Sequence, residues 1–421
     1  MNNSIKQIYA SLEIGEREVS LLVGEFFNTR FNIIKSEKIP CNAISDFKVI
    51  DRAELVQCIK TVVKNASDKI GAKVEKVILL IPAFNFKRYP LKVNLTPSGV
   101  GISKLDVAKA LTNSLRTKID NDLIVVNSSV IKYTINGIST RRLPENEVCD
   151  QLTVDIDLLC ADKALTYEYV EIVNECGLEV LDLCLNTYAI AKEAALFEQS
   201  LNQNIVLLDI GHSSTFLSIL AKGKLINSQV IFEGIDSMVD AVYRNYKLPV
   251  NNILRLLKYN VDFNKEDKDA VIFAWTKGKE NYSMNVSSIN SCVKVELENY
   301  VEKVISMCKP IIERGNVSFV CTGEGSEMLA LIEKLKTDSG CEVKTYYPET
   351  IGVRSASQCG IYGTFFVYKD KAAMNNLNVN CLDMLEYDSV VNHQTLDVEG
   401  ETLTSKIKNL FETYKSREEN K

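Results

Sequence analysis

Histidine is nearly missing from this chain, with two residues in 421, and none of its twelve cysteines stands in a C-x-x-C pair. A zinc site is therefore not expected. Long apolar runs are missing too. Residues 77–83 form one of the longest, far short of the ~20 residues a membrane span needs. Positive charge is not in excess: 49 Lys and Arg face 55 Asp and Glu, a formal net charge of −6. That balance argues against a general nucleic-acid binder. No signal-peptide pattern opens the chain, since residues 1–6 lead directly into a strand pattern. Many cysteines lie in apolar runs such as VCDQLTVDIDLLC (148–160). They read as small core residues in a reducing compartment.

What is present is an ordinary globular composition, 46% hydrophobic, on a chain long enough for several structural units. The organising stretch is NIVLLDIGHSSTFLSI (204–219). It reads as a buried strand (205–210), a tight turn (211–214) and a second strand (215–220), with Asp209 at the entrance of the turn. Such a hairpin can cradle phosphates and orient a metal-bound water; it can equally be a plain turn with an Asp side chain. A similar hairpin stands near the start, with strands at 8–14 and 19–24 around Gly15. A strand at 31–39, a helix at 51–70 stopped by Gly71, and a strand at 74–82 follow. Residues 84–161 read as a β-α-β-β unit, its helix capped by Ser103 with Asp106 three residues on. A helix (165–176), a strand (178–185) and an Ala-rich helix (187–197) lead to the central hairpin. After it come a strand (224–232), helices at 235–245, 250–259 and 287–314 with Pro310 as a kink point, and a strand (317–321). A Thr-Gly-Glu-Gly turn (322–325), a helix (326–336), a strand (342–346) and a helix (357–367) complete the pattern. Two halves thus repeat one arrangement without repeating identities. Lys87-Arg88 and Arg141-Arg142 read as a solvated basic face. Residues 370–401 are polar and read as a linker. Beyond it, Leu403, Ile407, Leu410, Phe411 and Tyr414 share one helical face, with Lys406, Lys408 and Lys415 among the polar positions.

Two facing hairpins and a Gly-containing turn before a helix suggest a nucleotide clamped between half-domains. Here the chain resembles the actin-like ATPase superfamily and, within it, the bacterial cell-division family FtsA. The segments that carry the resemblance are LEIGEREVSLLVGE (12–25), LLDIGHSSTFLSI (207–219), VSFVCTGEGSEMLALIEKL (317–335) and ECGLEVLDLCLNTYAIAKEAAL (175–196). The resemblance implies an α/β fold of duplicated, ribonuclease H-like halves around a nucleotide cleft. The first half would comprise residues 1–82 and 163–203, interrupted by a small inserted domain (83–162). The second half would comprise residues 204–233 and 311–369, with a smaller subdomain at 234–310. A linker (370–402) and an amphipathic helix (403–416) would end the chain.

The resemblance also implies ATP with Mg²⁺ as ligand, the metal oriented through water by Asp209 and Glu13. The binding set would be Gly15, Glu16, Gly211, His212, Ser213, Ser214, Thr215, Lys258, Thr322, Gly323, Glu324 and Gly325. Departures from the family pattern cluster around this one cleft. Glu16 stands where a Ser or Thr is usual, His212 and Ser213 replace two glycines, Glu324 replaces a third, and Arg255 stands where a Glu is usual. A carboxylate ~4 Å from a phosphate charge is repelled by about 4 kcal/mol at an effective dielectric of ~20. Weak nucleotide binding and weak or absent hydrolysis follow. His212 reads as a substituted turn residue rather than a catalytic base. The implied partners are FtsZ, further copies of the chain, later division proteins, and anionic lipid on the inner membrane face through residues 403–414. An active actin-like ATPase of a pilus-assembly or cell-shape system is the alternative.

Overall fold

The computed structural model describes residues 6–27, 30–99, 101–265, 269–349 and 355–399. Two five-stranded sheets carry the fold, and both have the same topology. In the first, Gln7–Ile14 pairs antiparallel with Glu18–Phe27, which pairs antiparallel with Arg30–Pro40. On its other side Gln7–Ile14 runs parallel to Lys76–Ile81, and that strand runs parallel to Glu179–Leu185. The second sheet repeats this order. Asn204–Ile210, Thr215–Ala221 and Lys224–Ile231 make the meander, while Val317–Thr322 and Glu342–Thr345 add in parallel. The central strands are near-continuous Ile, Leu and Val runs because both faces of each sheet are covered, and Ile205, Val206, Leu207 and Leu208 are fully buried. This is a duplicated actin-like architecture.

The helices on the first sheet have clear sequence causes. Arg52–Ile70 begins where the Asp51 carboxylate accepts from the Glu54 N–H and ends at Gly71 in the left-handed region. A separate four-stranded sheet, ordered Lys87–Leu95, Leu152–Asp162, Leu123–Ile135 and Ile138–Thr140, packs on the helix Lys104–Ser114. Asp106 ties that helix down, accepting from the Ser98 and Ser103 backbone N–H groups at 2.9 Å each and from both hydroxyls. Helices Asp236–Tyr246, Val250–Asn260 and Val286–Ile312 share a core with the second sheet. A two-stranded ribbon, Val271–Lys277 with Glu280–Asn285, stands beside them. Sequence reading passed over it, although residues 271–275 are an apolar, aromatic-rich run before a Gly turn and Ile272, Phe273 and Trp275 pack against that core.

Two expectations need correction, and a third is refined. The basic pairs are solvated, with Lys87, Arg141 and Arg142 exposed, but most are also partnered: Arg88 reaches Asp157 at 3.0–3.1 Å, Lys87 pairs with Asp120 at 2.6 Å, and Arg141 donates to the Lys222 carbonyl at 2.8 Å. The last contact joins the four-stranded unit to the second sheet. The helix placed with the second half, Cys359–Asn375, packs instead on the first sheet. Its Thr364 hydroxyl donates to Ser11 at 2.8 Å, and Tyr368 meets Tyr9 edge-on at 5.0 Å. Nor are residues 376–391 a solvated linker. Cys381 and Leu382 are buried, Ile8 N–H donates to Asn380 Oδ1 at 2.8 Å, and Cys381 exchanges backbone hydrogen bonds with Ile8, Glu75 and Lys76. The helix Met384–Glu399 continues this strap. Backbone pairing holds the segment, and backbone pairing leaves no mark in a hydrophobic pattern. The apolar face 403–414 lies outside the described residues.

Candidate functional site

The two hairpins present matched turns to one cleft. Gly15 N–H donates to Glu18 O at 3.0 Å, and Gly211 N–H donates to Ser214 O at 2.9 Å. At either glycine a Cβ would lie 2.9 Å from that same carbonyl, so both turns exclude a side chain. The third turn closes on the second hairpin. Gly323, at φ +80°, places its backbone where a Cβ would meet the Ile210 carbonyl and lie 2.8 Å from Asp209 Oδ1. Glu13, Gly15, Glu16, Asp209, Gly211, His212, Ser214, Gly323 and Glu324 all line the cleft.

Other expected site residues are used differently. The Thr215 hydroxyl is buried against the Glu233 carbonyl and Tyr300, both at 2.8 Å. Thr322 donates to the Ala356 carbonyl at 2.6 Å. Gly325 is packed against Ile210 and Ile235. Lys258 pairs with Glu327 at the edge of the third turn, over the Tyr259 ring. Thr215, Thr322 and Gly325 support the turns from behind, and Lys258 flanks the third.

Sequence reasoning named Glu16, His212, Ser213 and Glu324 but missed Arg17 and Asp236, which complete the bridge across the cleft. Asp236, in the first turn of its helix, pairs with Arg17 of the first hairpin at 2.7 Å and with His212 Nδ1 at 3.3 Å. The other imidazole nitrogen pairs with Glu324, and the Ser213 hydroxyl donates to Glu16. Arg17 and Glu16 thus reach from the first hairpin to groups on the second half. Asn186 also escaped notice; it accepts from Ala83 N–H at 2.9 Å and donates to Asp209 at 3.4 Å. Phe47 closes the floor at φ +64°, with its ring 5.5 Å from Phe216 and 5.6 Å from Phe84. Arg17 was adjacent to a motif and could have been flagged; Asp236 carries no local signal.

The electrostatics suit a closed cleft more than an anion site. Burial alone would lower the His212 pKa, but hydrogen bonds to Asp236 and Glu324 raise it to about 9, so it is an imidazolium at neutral pH and not a base. Burial raises Glu13 to about 8, with the Lys38 charge opposing and Asp209 adding. Burial raises Asp209 to about 6 against the Asn186 hydrogen bond. Glu16 is raised by burial and by Asp46 and Asp236, and its buried Oε1 has no hydrogen-bond partner among the described residues. The open space is about 190 Å³, below the ~300–1,000 Å³ of typical small-molecule sites. His212 and Glu16 occupy the turns where phosphates would approach. As arranged, a triphosphate would have to displace these side chains to enter.

No protein-family model matches the chain. Its curated relatives include the cell division protein FtsA of Bacillus subtilis (strain 168), 23% identical over 363 residues, which span 84% of this chain and 81% of that protein. The cell division protein FtsA of Enterococcus hirae is 21% identical over 363 residues, 83% of this chain and 80% of its own length. Among solved structures, a chain of the PilM–PilN type IV pilus biogenesis complex superposes with a TM-score of 0.56 at 15% identity, over 84% of this chain and 96% of that one. It shares the fold. Matched turns on a duplicated architecture, together with relatives of one name along most of its length, make this chain similar to the FtsA proteins, with the fold of the PilM–PilN structure.

Proposed function

We propose that this chain is an FtsA-like cell-division protein with a degenerate nucleotide cleft. It would tether FtsZ filaments to the inner face of the cytoplasmic membrane at the division site, assemble with further copies of itself, and receive later division proteins. The observation that carries this reading is the match to proteins named FtsA over more than four-fifths of the chain. The apolar face of residues 403–414, with its lysines, supplies the membrane contact, and self-assembly multiplies that weak contact by avidity. No helix among the described residues is long and apolar enough to cross a membrane.

The cleft chemistry favours an adaptor over a turning-over ATPase. A charge network of the protein's own side chains spans the turns that would hold phosphates. The alternative, an active ATPase of a pilus-assembly or cell-shape system, requires that network to open for each nucleotide. Co-sedimentation separates the two. The full chain should carry FtsZ filaments down with liposomes containing anionic lipid, and removal of residues 403–421 should abolish this. Liposome binding unchanged by the deletion would overturn the tether, and stoichiometric ATP turnover would overturn the degenerate cleft.

A further inference from the structure

We propose that Cys41, Glu54 and Cys58 form a site for one thiophilic divalent cation of the zinc class. Their ligand atoms all lie within 4.8 Å of one another. The site does not involve the nucleotide cleft chemistry, and its case stands independently of the function proposed above.

The elements that build it come from separate parts of the sequence. Cys41 follows the strand Arg30–Pro40, and its backbone N–H is pinned to the Arg17 carbonyl at 2.9 Å. Glu54 and Cys58 lie four residues apart on the helix Arg52–Ile70, so both face Cys41 from one side. Both thiols are reduced and buried, at 1% and 8% exposure. The Cys58 thiol is also oriented, toward the Pro40 carbonyl at 3.7 Å. Glu54 is only partly buried, which leaves an approach from solvent. Among the described residues, no other set of His, Cys, Asp and Glu brings three ligand atoms this close. The pairing is invisible to a C-x-x-C search because one thiol precedes the helix and the other lies inside it.

The geometry suits the metal. Zn–S bonds of ~2.3 Å at tetrahedral angles put two sulfurs roughly 3.8 Å apart, so contraction of about an ångström or less closes the site. Two thiolates, a carboxylate and a divalent cation sum to a charge of −1. That charge would sit against the first turn of a helix, where the dipole favours it. Loading releases the two thiol protons to solvent as two S–metal bonds form. Three protein ligands leave a fourth position for water.

The test uses the full chain, reduced and stripped of metal, titrated with Co²⁺ and then Zn²⁺. One equivalent of Co²⁺ should produce a thiolate-to-cobalt charge-transfer band with the intense visible bands of tetrahedral cobalt. Zn²⁺ should bleach both and release about two protons per ion. Cys41→Ser and Cys58→Ser should each remove or strongly weaken the charge-transfer band. Glu54→Gln, on an accessible first turn, should retain the fold and weaken Co²⁺ binding about tenfold or more. Cys176→Ser should change nothing. No charge-transfer band in the native chain would overturn the site. So would a band that survives in the Cys41→Ser/Cys58→Ser double variant, or a Cys41–Cys58 disulfide in protein isolated without reductant.

Discussion

Glu16 is the residue whose replacement tests the cleft most directly. It stands at the turn of the first hairpin, lines the cleft, and faces Ser213 across it. A phosphate charge ~4 Å from an ionised Glu16 would be repelled by about 4 kcal/mol at an effective dielectric of ~20. Arg17 and His212 are the nearby cations that oppose this, and the cleft mouth admits solvent, so roughly half should survive. A gain of ~2 kcal/mol is about a thirtyfold tighter dissociation constant. Glu16→Gln keeps the shape and removes the charge; Glu16→Thr also restores a hydroxyl at the position. Both should bind Mg·ATP about thirtyfold more tightly than the native chain by isothermal titration calorimetry, with Thr at least equal to Gln. If neither binds more tightly, Glu16 is not what weakens the site, and the charge argument fails. Gln equal to the native chain with Thr alone improved would assign the defect to a missing hydroxyl instead.

Three further outcomes follow from the geometry. The His212 pKa is raised from about 6.5 to about 9, so its stabilisation is fully present below pH 6.5 and is lost as pH rises toward 9. It is worth as much as ~3 kcal/mol, and denaturant unfolding across that window should show the loss in the native chain and a flatter profile in His212→Gln. Glu13 is raised to about 8, which likewise disfavours the folded state as pH climbs from 4.5 to 8. Glu13→Gln should therefore be more stable than the native chain at pH 8 by a few kcal/mol at most, with no advantage at pH 4; an equal penalty at both would refute the assignment. Truncation after residue 399 should leave the melting temperature unchanged. Truncation after residue 375 should lower it by ~10 °C or more, since it removes buried Cys381 and Leu382 and the backbone pairing to Ile8, Glu75 and Lys76.

Legibility followed the physics of each element. The paired hairpins and parallel strands could be read because strands covered on both faces leave continuous Ile, Leu and Val runs. Helix ends such as Asp51 and Gly71 could be read because caps are local. The ribbon at 271–285 was passed over although its first strand opens with five apolar residues, three of which pack on the core. The strap at 376–391 escaped because two buried side chains and a set of backbone hydrogen bonds hold it. In the cleft, the glycines and acidic groups of the turns were visible, whereas Asp236 was not. Its role depends on Arg17, 219 residues away in sequence, and an ion pair between distant elements writes no periodicity. Thr215, Thr322 and Gly325 carried the motif but serve the packing behind it.

The strap bears on how the chain is made. The second sheet is assembled from residues 204–345 alone, a continuous stretch. The first sheet receives its earliest strand from residue 7 onward, yet its covering helix is Cys359–Asn375 and its edge contacts come from Asn380–Leu382. On the ribosome, the strands synthesised first must therefore wait for residues 359–382, with Tyr9 and Phe31 uncovered meanwhile. Such waiting exposes apolar surface until those residues emerge. A chain that stops anywhere before residue 382 is then not a shorter protein but one whose first half was never finished.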